Sequence, residues 1–236
     1  MTLLSRICFS WILAAAHLHA AVINGQVRLE GSRDKQVQAR KVYSGVIVWL
    51  EPVEGAARTA PRSARMLQKG KTFVPHILAI PVNSTVEFPN YDPIFHNAFS
   101  NFSGQIFDVG LYPPGTSRTV RFRREGIVRV FCNIHPTMSA VIAVLPTMWF
   151  AVTDAQGAFT LNDVPPGTYM LKIFHERATE STLERLEQRI TVAGNMRLPE
   201  LVISEADYLP TPHKNKFGKD YPSVIDDGLP YGGPKR

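Results

Sequence analysis

Cysteine is scarce in this chain: there are two in 236 residues, Cys8 and Cys132. Two cysteines exclude a disulfide-dense scaffold and any four-cysteine zinc or iron–sulfur cage within one chain. No Cys-x-x-Cys-His occurs, which argues against attached haem. Long apolar runs are missing too. Ile7 to Leu18 is too short for the roughly 20 residues a span needs, and Val141 to Val152 is interrupted by Pro146. No basic stretch is interleaved with aromatic residues in the manner of a base-stacking surface, so nucleic acid is not an expected partner. The 18 Pro and 16 Gly are close to average usage, so the chain as a whole is neither collagen-like nor disordered. What is present is 44% hydrophobic residues, enough to fill the cores of one or two domains, and a formal net charge of +6.

Residues 1–20 have the pattern of an export signal: Arg6, then an apolar stretch, then small residues before Ala21. Cleavage after Ala20 predicts a periplasmic protein with no membrane span. It removes Cys8 and leaves Cys132 as a single thiol in a compartment where thiols oxidise. Such a thiol calls for a partner chain, deep burial or a metal.

The mature chain alternates with period two. Val46-Val48-Leu50, Leu78-Ile80-Val82, Val86-Phe88, Val120-Phe122, Val128-Val130-Cys132 and Phe159-Leu161 each place apolar residues on one face. Asn24-Gly25, Asn83-Ser84, Pro113-Pro114-Gly115, Glu125-Gly126 and Pro165-Pro166-Gly167 read as turns between strands. The expected class is all-β, with antiparallel sandwiches or barrels. Only Ser181 to Arg189 suggests a helix, and its apolar face is thin. Residues 205–236 change character, with prolines, glycines and no alternation. They are expected to be extended or disordered, laid on the surface by Tyr208, Phe217, Tyr221 and Tyr231.

Chemistry concentrates at Cys132-Asn133-Ile134-His135-Pro136-Thr137-Met138, which follows a strand Ile127–Phe131 and precedes a strand Ser139–Leu145. A tight loop between two strands can turn the thiolate, the imidazole and the thioether toward one point. His96, after a strand Thr85–Phe88, offers a second imidazole. Two imidazoles and a thiolate with a weak axial thioether suit a copper electron-transfer site, whereas zinc has no redox chemistry and takes thioethers poorly.

Phe73-x-Pro75, Val86-x-Phe88-x-Asn90-x-Asp92, His96-Asn97, Gly126 and Cys132-x-x-His135-Pro136-x-Met138 together resemble the cupredoxin family. The likeness runs from about Arg65 to Pro146, and the short ligand loop is most similar to that of amicyanin. The resemblance implies a Greek-key sandwich holding one type 1 copper ion. His96, Cys132 and His135 are its implied equatorial ligands, Met138 its axial ligand, and Asn97 the brace of the cysteine loop. The whole chain also resembles exported cupredoxins described as methylamine-utilisation-like. Phe95 and Phe99-Ser100 depart from small cupredoxins and predict a bulkier loop around His96.

Asp154-x-x-Gly157-x-Phe159-x-Leu161 and Val164-Pro165-Pro166-Gly167-x-Tyr169-x-Leu171 resemble the second half of a carboxypeptidase-regulatory-like, transthyretin-type sandwich. Its first half is matched by Ile23-x-Gly25-x-Val27 and Gly45-x-x-Val48-x-Leu50. Neither half can bury a core alone. The favoured organisation is therefore a cupredoxin over 63–147 inserted between 22–57 and 148–204. The alternative is a cupredoxin over 22–147 with 148–204 appended.

These expectations add up to a periplasmic carrier of single electrons, not an enzyme, partnered by a c-type cytochrome or a dehydrogenase, with His135 as the electron exit. A copper storage or delivery protein and an interaction module with a vestigial site are the alternatives. Arg118, Arg121, Arg123, Arg124 and Arg129 suggest steering toward an acidic partner. His76, His175 and His213 read as ordinary surface or strand-end residues.

Overall fold

A computed structural model describes residues 20–101, 104–209 and 212–221. Residues 1–19 of the expected export signal, with Cys8, and Tyr231 lie outside the described residues. No described helix is long and apolar enough to cross a membrane. The chain is all-β, and its strands gather around two separate cores.

Strands from both ends of the chain build the first core. Ala21–Glu30 pairs antiparallel with Ala158–Val164 and parallel with Met196–Arg197 and Leu201–Ser204. Facing it is a second sheet, in the order Phe150–Val152, Ile47–Pro52, Gly167–Phe174, Gln188–Val192. Between the two sheets lie Ile23, Val27, Val48, Leu50, Phe159, Leu161, Leu171 and Ile203. Full burial of each such side chain contributes about 1.5–3 kcal/mol. Asn24-Gly25, which reads as a turn, instead lies inside a strand. Gly25 pairs with Phe159, and a Cβ there would stand 2.1 Å from the Phe159 ring. Glycine serves here because an aromatic ring covers it, not because the chain bends.

The second core is built entirely from residues between these strands. One sheet runs Ser117–Arg121, Thr85–Pro89, Ser63–Arg65. The other runs Ile77–Pro81, Ser139–Leu145, Gly126–Phe131, Phe99–Ser100, Phe107–Asp108. Phe73, Phe88, Phe122, Val128, Val130 and Ile142 fill the space between them.

The two sandwiches meet through the outer faces of one sheet from each. Val48 and Leu50 point into the first core, while Ile47 and Trp49 point to the junction. Likewise Ala140, Ile142 and Val144 point into the second core, and Ala143 and Leu145 to the junction. This accounts for the unbroken apolar run at 140–145: the strand is buried on both faces, as central strands between two layers are. Edge groups add a polar clamp. His76 Nδ1 meets the Ser139 carbonyl at 3.0 Å, and its Nε2 meets Glu176 of the other sandwich at 2.8 Å.

That clamp carries a pH signature. The hydrogen bond to Glu176 raises the His76 pKa above 6.5 against the opposing effect of burial. Burial works against the Glu176 carboxylate, but His76 and Arg177 hold its pKa below 4.5. A raised histidine stabilises the fold fully below 6.5 and loses that contribution as pH rises through its folded pKa. A lowered carboxylate stabilises it above 4.5 and loses that as pH falls. The difference in thermal midpoint between the native chain and Glu176→Gln is therefore expected to peak between pH 4.5 and 6.5 and to shrink toward alkaline pH. A difference that is flat with pH would remove His76 from the clamp.

Two short helices occur among the described residues. Glu180–Glu184 is shorter than the 181–189 expectation, and Lys35–Arg40 has no apolar period to announce it. The latter forms because Asp34 caps it, accepting from the N–H groups of Gln36 and Val37.

Candidate metal centre

The alternation that places Val128 and Val130 in the core carries one residue past the strand end, so Cys132 also points inward and is fully buried. The loop then closes on itself. Cys132 N–H donates to the Met138 carbonyl at 3.1 Å, and Met138 N–H donates to the His135 carbonyl at 3.1 Å. His135 is returned over the thiol, with Nδ1 3.5 Å from Cys132 Sγ. Met138 is fully buried in the same core as Cys132.

His96 arrives from the other sheet connection. A two-way backbone bridge to Tyr112 fixes its main chain: His96 N–H donates at 3.2 Å, and its carbonyl accepts at 2.9 Å. Tyr112 is itself anchored through its hydroxyl to Gln68 and the Phe88 carbonyl. The His96 ring is fully buried, its Nδ1 3.8 Å from Cys132 Sγ. Its Nε2 lies 2.8 Å from the Asp92 carboxylate. A carboxylate at Nε2 fixes the tautomer with the proton there and leaves the Nδ1 lone pair facing the thiol.

One ligand atom each from His96, Cys132 and His135 therefore lie within 4.8 Å of one another, close enough to hold a single metal ion. Burial pushes the Cys132 thiol pKa up, while N–H groups of Asn97, Ile134 and His135 draw it back. Those donors would favour a thiolate once a cation compensates the burial. Burial first, and then the nearby Lys71 ammonium, pushes His135 down to about 4, so its imidazole is neutral at pH 7 with a free lone pair. Burial also works against the Asp92 carboxylate, but the N–H groups of Lys71 and Gly70 and the His96 ring outweigh it.

Asn97 sits fully buried beneath the loop. Its Oδ1 accepts from Asn133 N–H at 2.6 Å, and its Nδ2 donates to Asp108 at 3.2 Å. The bulk expected around His96 divides in two. Phe99 is buried and packs on Phe131 with ring centroids 5.9 Å apart, whereas Phe95 points to solvent, 51% exposed. Phe99 and Ser100 lie inside, and Phe99 forms a buttress under the strand that leads to Cys132.

Two histidines depart from the sequence expectation. His175 is buried, with Nε2 2.6 Å from buried Glu205. His213 stacks on Phe131 at 4.1 Å, one residue before Cys132. Neither contact has a local signal, because each partner comes from a distant segment. Asp92 is visible in the sequence only as part of a family pattern, although its spacing four residues before His96 is the one hint of their contact.

Fold and site together define an all-β protein of two sandwiches, one of which brings a His–Cys–His group together around a buried thiol. No family model matches the chain, and no curated protein matches it. Among solved structures it is similar to a copper-containing nitrite reductase from Thermus scotoductus SA-01, at 28% identity and TM-score 0.34 over 40% of this chain. The chain spans only 25% of that reductase. It is also similar to a purple cupredoxin from Nitrosopumilus maritimus, at 24% identity and TM-score 0.33, covering 35% of this chain and 99% of that one. A reduced mutant of amicyanin matches at 16% identity and TM-score 0.34, covering 42% of this chain and 98% of that one.

Proposed function

We propose that the protein is an exported, periplasmic type 1 copper protein that carries single electrons and catalyses no reaction of its own. The observation that carries this reading is the convergence of His96 Nδ1, Cys132 Sγ and His135 Nδ1 within 4.8 Å around a buried thiol. The donor set fits copper: one soft thiolate and two neutral imidazoles serve both Cu(I) and Cu(II). In the proposed assignment His96, Cys132 and His135 would hold the ion, and the Met138 thioether would be its fourth, weaker donor.

Bound copper would supply a Cu(II)/Cu(I) couple. The chain's own residues do the rest. Asp92 holds the His96 ring in one orientation, and Asn97 pins the loop through Asn133. Phe99 and Phe131, buried and packed on each other, support the strand that ends at Cys132. His135 is half-buried, beside Ile134 at 42% exposure, and is the proposed exit for the electron. Titrating the purified mature protein with Cu(II) is expected to give one equivalent of uptake, an intense red-region absorption and a type 1 EPR signal. Failure to bind stoichiometrically overturns the proposal, and rapid loss of Cu(I) to a chelator would favour delivery instead.

We further propose that residues 63–147 form a cupredoxin unit inserted in a carboxypeptidase-regulatory-like sandwich of residues 22–57 and 148–204. Supporting this, the Ile47–Pro52 strand pairs with Phe150–Val152 and Gly167–Phe174 and contributes to the first core.

The partner is proposed to be an acidic redox protein such as a c-type cytochrome. Arg118, Arg121, Arg123 and Arg124 line an open groove of about 610 Å³ beside Phe107 and Asp108. None of the four forms an ion pair among the described residues. Arg129 lies apart, on the ligand strand. Unpaired like charges act mainly on encounter rates. Oxidation of the reduced protein by anionic hexacyanoferrate(III) is expected to slow about tenfold in Arg118→Glu/Arg121→Glu at low salt. The difference should vanish at high ionic strength, and cationic cobalt(III) tris-phenanthroline should respond in the opposite direction. Equal rates with both reagents would remove the groove from the docking surface.

A further inference from the structure

The segment 212–221 comes back across the ligand loop. Tyr221 donates its hydroxyl to the Cys132 carbonyl at 2.7 Å, and Lys216 N–H donates to Asn133 Oδ1 at 3.0 Å. Lys216 Nζ pairs with Asp108 at 2.7 Å, the same carboxylate that receives Asn97 Nδ2. His213 stacks on Phe131, and Tyr221 meets the His213 ring both edge-on at 5.1 Å and through its hydroxyl at 3.2 Å. Phe217, in the middle of the segment, is 70% exposed and contributes no core packing.

These bonds converge on one peptide unit, the link between Cys132 and Asn133. Its N–H is taken by Asn97 from inside the sandwich, and its C=O by Tyr221 from outside. A peptide plane fixed at both ends has no freedom to rotate, and the Cys132 Cα–Cβ bond leaves directly from it. We infer that the C-terminal segment is a built part of the metal centre, with Tyr221 as a positioning residue that locks the cysteine end of the ligand loop. Its effect on copper rests on the proposed function, but its effect on the loop does not.

Opening of the loop to expose Cys132 must break the Tyr221 and Lys216 bonds first, so the segment lowers the population of the open form. The Cys132 side of the loop is covered by this chain itself, and among the described residues the Ile134–His135 side is the more open approach for a partner. Burial, with Cys132 close by, pushes the Tyr221 phenol up to about 12, so it remains a proton donor throughout the physiological range.

The decisive measurement is made on the full-length chain without copper: the rate of iodoacetamide labelling at Cys132, read on its own peptide by mass spectrometry. Tyr221→Phe keeps the ring and removes the hydroxyl with both its contacts, to the Cys132 carbonyl and to His213 Nδ1, and is expected to speed labelling about two- to tenfold. Tyr221→Ala removes the ring contact with His213 as well and should exceed it, while Phe217→Ala should label at the native rate. Thermal midpoints close to native keep the effect local to the loop. Native labelling rates in both Tyr221 variants, or equal acceleration in Phe217→Ala, would overturn the inference. In the copper-loaded protein Tyr221→Phe should shift the absorption maximum, a change that a remote packing defect does not cause. If the native chain takes up no copper, the proposed function fails, and the labelling series still decides the role of the segment.

Discussion

Cys132→Ser is expected to abolish the red-region absorption of the copper-loaded protein and to weaken copper binding at least about 100-fold. The second figure is set by comparison: removing an outer partner of a metal ligand already costs about 10–100-fold in affinity. The hydroxyl of serine remains protonated at neutral pH and gives copper no charged, polarisable donor, so the loss at Cys132 must exceed that range. Asp92→Asn provides the comparison within one protein. It leaves an amide oxygen for the His96 Nε2 proton and the Lys71 N–H while removing the charge and the acceptor for the Gly70 N–H, so it should weaken binding less than loss of the thiolate while keeping the colour. Both variants are read by the same titration, followed by absorption and EPR. Equal colour in Cys132→Ser and the native protein would mean that the thiolate is not a ligand. Cys132 has no role in packing that serine lacks beyond one buried sulfur, so a folding defect is not the expected cause of any loss.

The convergence of Cys132 and His135 was legible because they lie within one loop of seven residues and the strand alternation leading into it carries through to Cys132. The same period-two rule accounts for Val48 and Leu50 facing one core while Ile47 and Trp49 face another, although the existence of a second buried face is not visible in the alternation itself. His96 reached the site through a family pattern, since nothing local ties it to a cysteine 36 residues away. Much of what the sequence did not disclose is contact between polar groups. Asp92 and His96, four residues apart, are the nearest such pair. His175 with Glu205, His76 with Glu176 and Tyr221 with Cys132 span 30, 100 and 89 residues. Periodicity reports which face of an element is apolar and carries no information about which distant side chain meets it. The 205–236 segment shows the same limit, because the absence of alternation is silent about anchoring. Glu205 is buried and Tyr221 sits on the ligand loop, yet neither belongs to a helix or strand.

Glu205→Ala is expected to be the most destabilising single change outside the metal centre, at about 3–5 kcal/mol. Glu205 is 3% exposed and directly follows the Leu201–Ser204 strand, held by its own N–H to the Glu30 carbonyl. Its carboxylate meets His175 Nε2 at 2.6 Å and both the Nε and Nη2 of Arg177 at 3.1–3.2 Å, and it accepts from the Ser32 hydroxyl. Burial alone would raise its pKa, but these partners hold it at about 2, against an ordinary 4.5. A gap of that size corresponds to stability on the order of 3 kcal/mol, in line with the cost of stripping one partner from a buried pair. The sign follows from the lowered pKa: the contribution is complete above 4.5 and is lost as pH falls toward 2. Alanine leaves buried His175 Nε2 without its acceptor and Arg177 with only its more distant contacts to Asp34 and Glu176, whereas Glu205→Gln keeps an acceptor oxygen and should cost less. Urea unfolding at pH 7 and again near pH 3 separates these contributions. The native chain and Glu205→Gln should differ clearly at the first pH and converge toward the second, while Glu205→Ala stays the weaker at both. Convergence of all three at acid pH would mean that the carboxylate acts by charge alone and that its hydrogen-bond acceptor role adds nothing.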